Sequence, residues 1–141
     1  MEVVYYFDKD LGYSPVKKYL EIYSKSDDTL EMGWHRKQKI LITIEEKFKY
    51  ISQQCDGRPR PPIACPLREY SFFEIKQSKD ENTLIRILYF CKDDKMVLLY
   101  AFEKPSNYDD KKIKKDIDKN YKIAKKYKEK FNNNPKNYEK Y

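Results

Sequence analysis

Residues 72–103 constrain the fold most. They read FFEIKQSKDENTLIRILYFCKDDKMVLLYAFE. Three runs rich in apolar, β-branched and aromatic residues, at about 72–77, 84–91 and 96–103, are separated by the short polar links QSKDENT and KDD. Links this short suit antiparallel hairpins. In the middle run both parities are apolar, with Leu84, Leu88 and Phe90 on one side and Ile85, Ile87 and Tyr89 on the other. A strand buried on both faces lies in the centre of its sheet. The third run has the same character.

The flanking segments are read as follows. VVYYF at 3–7 is a strand. Ser14 is a good N-cap and Pro15 suits the first helical position, so a helix of about three turns follows, with Val16, Tyr19, Leu20 and Tyr23 on one face. Asp28 and Glu31 have capping-box spacing, and Leu30, Trp34, Leu41, Ile44, Phe48 and Ile51 then mark a long amphipathic helix ending near Gln54. The two helices form an αα-hairpin. Residues 55–69 hold four Pro and three of the five Arg, which predicts an exposed, stiffened loop. Ile113, Ile117, Tyr121, Ala124 and Phe131 predict a C-terminal helix with a basic outer face. The polar stretch 132–141 is expected to fray. The expectation is one α+β domain over 1–131 in the order β-α-α-β-β-β-α. Only three Gly are present, which argues against a many-turned all-β fold.

The charge is unevenly placed. Residues 109–141 carry 12 Lys against 6 acids, a surplus of +6 within a net charge of +7. Such a cluster suits a phosphate backbone, and equally a solvated helix face. No apolar run reaches the roughly 18 residues of a membrane span, and the N-terminus lacks the pattern of a signal peptide. A cytoplasmic protein is expected, with Cys55, Cys65 and Cys91 as plain thiols. No P-loop, GxGxxG, HExxH or zinc spacing is present. The single histidine, His35, reads as a helix-surface residue beside Trp34.

Three charges interrupt the apolar strands: Glu74, Lys76 and Arg86. A lone charge there is costly unless it is paired. One reading is a cross-strand Glu74–Arg86 pair. It leaves Lys76 and Arg68 unexplained. The other reading is a basic cluster of Arg68, Lys76, Arg86 and Lys104 that grips phosphate. Cations of this kind can stabilise the phosphorane formed when an RNA 2′-hydroxyl attacks its own phosphate, while a base removes the 2′-proton.

The stretches GYSPVKKYL, KILITIEEKF, PLREYSFFEIK, IRILYF and VLLYAFEK, in this order over residues 12–104, resemble the phage-derived HigB-like branch of the RelE/ParE toxin superfamily. The resemblance implies a small RelE-like sheet with an α-hairpin on one side and a basic concave face. It implies a toxin that cleaves mRNA on the translating ribosome. It also implies a cognate antitoxin, of helix-turn-helix type, bound in a hetero-oligomer. Lys76 and Arg86 fall where nucleases of the superfamily place phosphate-binding residues, and Glu74 falls on the family's usual glutamate. Tyr108 or Tyr100 would stack on a base or move a proton. Lys104, Lys111, Lys112 and Lys115 would join Arg68 in holding RNA, with no metal or cofactor. The chain departs from the branch in carrying Tyr100 for a usual His, Ile75-Lys76 for Leu-Arg, and Glu103-Lys104-Pro105-Ser106-Asn107-Tyr108 for a Lys-rich tract. Relatives of ParE type share the fold and inhibit DNA gyrase without cutting RNA. A non-nucleolytic inhibitor, or a degenerate protein that only binds its antitoxin, is therefore the alternative. A phage protein that keeps the fold for another binding task is a third.

Overall fold

A computed structural model describes residues 1–24, 33–54, 63–105 and 111–141. Among these residues, three helices and a six-stranded, mostly antiparallel sheet make an α+β fold. The chain order is β1 (Glu2–Tyr6), α1 (Pro15–Ser24), α2 (Trp34–Ser52), β2 (Ala64–Leu67), β3 (Phe72–Ser78), β4 (Thr83–Lys92), β5 (Lys95–Pro105), α3 (Lys111–Asn133) and β6 (Tyr138–Lys140). Across the sheet the order is β2-β3-β4-β5-β1-β6. β1 runs parallel to β5, and the other neighbours are antiparallel.

The hairpin strands form where alternation and turn chemistry place them. Asp93 and Asp94 both take positive φ, 51° and 61°, between β4 and β5. A two-residue link with this geometry matches the twist of its strands, and Asp tolerates the left-handed region better than most residues. A register shift at Leu88 and Tyr89 inserts one extra residue into β5. The doubly apolar β4 has β3 on one side and β5 on the other, as its pattern predicts.

The two faces carry separate cores. Ile75, Ile85, Ile87, Tyr89 and Leu98 pack with Val16, Leu20, Tyr23, Ile44, Phe48 and Ile51 from α1 and α2. Phe72, Leu88, Phe90, Val97 and Phe102 pack with Ile117, Tyr121, Ala124 and Phe131 of α3. The sheet is thus a middle layer between the α-hairpin and α3.

Several expectations are corrected. β2 lies inside the segment read as loop, paired with β3 from Ala64–Ile75 to Leu67–Phe72. Its Pro66 is tolerated because β2 is an edge strand. Residues 138–140 do not fray but pair with Val4–Tyr6 of β1. Tyr141 packs its ring on Tyr5 and Phe48 at 5.5 and 5.8 Å, and this holds the tail. α2 begins at Trp34 with an extended Gly33 at its N-cap. The Asp28–Glu31 box lies outside the described residues. Trp34 is 37% exposed, while Ile40 and Lys37 are buried.

Candidate functional site

The three strand charges are resolved by register. Lys76 stands directly opposite Arg86, and Glu74 opposite Leu88. Glu74 and Arg86 are therefore diagonal neighbours on the face beneath α3. Arg86 Nη1 lies 2.8 Å from each carboxylate oxygen of Glu74. The same nitrogen donates to Tyr121 Oη at 2.7 Å, and the Tyr121 hydroxyl donates to Glu74 Oε2 at 2.7 Å. The three groups close a ring across β3, β4 and α3. Glu74 is 1% exposed and Arg86 5%.

Further hydrogen bonds to its polar atoms offset part of the desolvation cost of a buried ion pair. Tyr121 supplies that support. Burial, and then its bond to Glu74, raise the pKa of its hydroxyl, so it stays protonated as a donor. Phe72, Phe102 and Tyr70 surround its ring with centroids 5.4–6.4 Å away. Arg86 Nε is buried without a hydrogen-bond partner among the described residues. Leaving one donor unsatisfied costs about 1–3 kcal/mol.

The basic cluster expected on this face is divided by the fold. Arg86 faces the core, because α3 lies over it and Glu74 and Tyr121 engage its Nη1. The resemblance implies a phosphate contact for Arg86; in this structure its guanidinium is buried and turned toward Glu74 and Tyr121. Lys104, expected beside it, is buried as well. It is 3% exposed, in register with Leu84 at the end of β5. Lys76 is exposed, as are Arg68 in the β2–β3 turn and Lys111, Lys112 and Lys115 in the first turns of α3. Tyr100 is half-buried, stacked on Phe102 at 6.1 Å and edge-on to Tyr127 at 5.9 Å. Tyr108 lies outside the described residues.

Two features went unread in the sequence. Tyr121 was assigned to the apolar face of its helix, but its polar tip needed a buried partner that only the fold supplies. The second feature is the anchor of the α3 C-terminus. Asp8, 1% exposed, accepts from the backbone N–H groups of Asp10 and Leu11 at 2.8 and 3.0 Å. It also accepts from the Tyr6 hydroxyl at 2.9 Å and Lys130 Nζ at 3.2 Å. Burial alone would raise the Asp8 pKa, but these donors outweigh it and hold the carboxyl below its ordinary 3.8. Lys128 donates to the Ser71 carbonyl at 2.8 Å and Lys92 to Asn132 at 2.9 Å, which tie the same helix to the β2–β3 turn and β4.

On its outer side α3 is strongly basic. Lys115, Lys119, Lys122 and Lys126 are exposed at spacings of four, three and four, opposite buried Ile117, Tyr121 and Ala124. Spacings of three and four place side chains in one row. The row spans about 16 Å at the ~1.5 Å rise of a helix. Among the described residues no group of three His, Cys, Asp or Glu side chains could hold a metal ion. Likewise, no helix there is long and apolar enough to cross a membrane.

No known family model matches the chain, and no curated protein or solved structure does either.

Proposed function

We propose that this protein is a toxin of the RelE/ParE type that arrests its target by binding RNA on the ribosome rather than by cutting it. One observation carries that choice: the enclosure of Arg86 by Glu74 and Tyr121. Stabilising a phosphorane requires cations pre-aimed at the phosphate. The cation best placed in sequence for that work is engaged inside the protein. Binding is carried instead by the lysine row of α3, where Lys111 and Lys112 extend the positive surface at the helix start. A row of exposed lysines releases counterions from a phosphate backbone, so affinity should fall steeply with salt. The antitoxin of this reading is of helix-turn-helix type. It holds the protein in a cytoplasmic hetero-oligomer. The RelE-like arrangement belongs to the same proposal and is supported by the αα-hairpin that precedes the antiparallel strands.

Ribosome-dependent mRNA cleavage is the second reading. Lys76 favours it, because it is exposed and directly opposite Arg86 at the rim of the covered face. The two readings separate when purified protein is incubated with a labelled mRNA, with and without programmed ribosomes. Salt-sensitive binding with intact RNA is expected. Cuts that appear only with ribosomes would overturn the binding reading.

A further inference from the structure

A cleft of about 300 Å³ opens between the β2–β3 turn and α3, lined by Leu67, Arg68, Glu69, Tyr70, Asp118 and Tyr121 among others. It lies outside the Glu74–Arg86 pair and shares only Tyr121 with that cluster. Its contents have the parts of a nucleotide site. Tyr70 is partly exposed, and its ring is fixed by Phe72 at 5.4 Å and by Tyr121 at 5.4 Å. A ring held from the protein side keeps little rotational freedom and offers a ready surface for stacking. Arg68 and Asp118 are both exposed, and neither is engaged in an ion pair among the described residues. The cleft therefore presents one available cation, Arg68, and two available carboxylates, Glu69 and Asp118, around the Tyr70 ring, and Asp118 is the carboxylate carried on α3 beside the lysine row. Burial first, and then the charges of Asp118 and Glu69, raise the Tyr70 hydroxyl pKa, which is consistent with both acids lying near the ring.

We propose that this cleft is a subsite for one unpaired guanine of a single-stranded RNA. Tyr70 is its stacking surface, Asp118 accepts its N1–H and 2-amino protons, and Arg68 holds the adjoining phosphate. This rests on the RNA-binding reading above and names the base it recognises. Chemistry selects guanine. A carboxylate only accepts, and its two oxygens suit two adjacent donors. Guanine presents a ring N–H beside an amino group. Adenine and cytosine place a ring acceptor beside their amino group, which would face a carboxylate oxygen. Uracil has one N–H between two carbonyls. A site built to satisfy donors rejects bases that lack them. The strand must be single, because a base stacked on a side chain has left its own stack. Lys115 and Lys122 flank Asp118 at three and four residues along α3, so the phosphates on either side of the bound base meet lysines.

The test uses the full chain and four RNA pentamers, UUGUU, UUAUU, UUCUU and UUUUU, by fluorescence anisotropy. GMP is titrated separately by NMR. UUGUU should bind about tenfold more tightly than UUUUU, the discrimination that one bidentate contact gives. In Asp118→Asn, an exposed position, that ratio should fall to about one. Arg68→Gln should weaken every pentamer. Lys119→Gln/Lys126→Gln should weaken all pentamers and leave the ratio intact. Binding without a guanine preference, or a preference that survives Asp118→Asn, overturns the subsite and spares the RNA-binding reading. GMP that shifts Tyr70 and Asp118 resonances while no pentamer binds leaves the cleft a guanine-nucleotide site and overturns both the RNA-binding reading and the RNA subsite. Absence of both overturns both.

Discussion

Tyr121 donates its hydroxyl proton to Glu74 across 2.7 Å, joining two residues 47 positions apart. The bond fixes α3 to β3 at the point where Arg86 enters from β4. A charge that looked like half of a catalytic site is thereby part of the interior. Arg86 joins three elements, and its positive charge is balanced where it lies.

Removing one member of this group should leave a buried charge without compensation. Glu74→Leu should cost about 3–5 kcal/mol. Tyr121→Phe should cost less, about 1–3 kcal/mol, since the ion pair survives it. The triple variant Glu74→Leu/Arg86→Met/Tyr121→Phe should recover most of the loss, because an apolar cluster of similar volume needs no partners. Urea unfolding of the four proteins measures this. A triple variant no more stable than Glu74→Leu would contradict it.

The pH dependence follows from Asp8. Its folded pKa is depressed, so its contribution is present above the unfolded value and is lost as pH falls through the folded one. Thermal stability should therefore decline below about pH 4. Asp8→Asn should be less stable by about 1–3 kcal/mol at pH 7 and should show a shallower acid decline. Melting temperatures between pH 2.5 and 7 check both statements.

The lysine row makes a quantitative claim about salt. Each single-strand phosphate contact contributes about −0.7 to the slope of log affinity against log salt. Replacing Lys115, Lys119, Lys122 and Lys126 with Gln should make the slope shallower by up to about 3. The folded state should be little affected, since all four side chains are exposed. Anisotropy of a labelled single-stranded RNA across 50–300 mM salt, roughly the range over which such contacts are lost, gives the slope directly.

The tail should matter for stability. Deleting residues 137–141 removes the β6 ladder, the Tyr141 ring contacts and the Ser14–Glu139 hydrogen bond at 3.1 Å. A loss of roughly 2 kcal/mol is expected, about 6 °C in Tm for a chain of this size. Scanning calorimetry of the truncated chain checks it.

The strongest sequence signals were local ones. Ser14-Pro15 marked the start of α1, the doubly apolar run marked a central β4, and Asp93-Asp94 marked the hairpin turn. Each depends on residues within a few positions of one another. The parity of Glu74 and Arg86 likewise made their pairing readable, since the strands are joined by one short link. β2 was hidden by Pro66, whose meaning depends on whether its strand lies at an edge. β6 was hidden by its polarity, because its stability comes from Tyr6, Tyr5 and Phe48, which are more than 80 positions away. The same distance problem concealed the third partner of the pair. Nothing near Tyr121 in sequence indicates that its hydroxyl meets a buried carboxylate. The burial of Lys104 was equally out of reach, because nothing near it in sequence marks that position of β5 as covered.

The most direct measurement is mRNA integrity on programmed ribosomes, using the unaltered protein and Arg86→Lys side by side, with their folding verified by circular dichroism. Binding without cleavage predicts that both proteins bind in a salt-sensitive manner and leave the message intact. Ribosome-dependent cuts by the unaltered protein, lost in a folded Arg86→Lys, would show instead that the buried arginine reaches phosphate during the reaction.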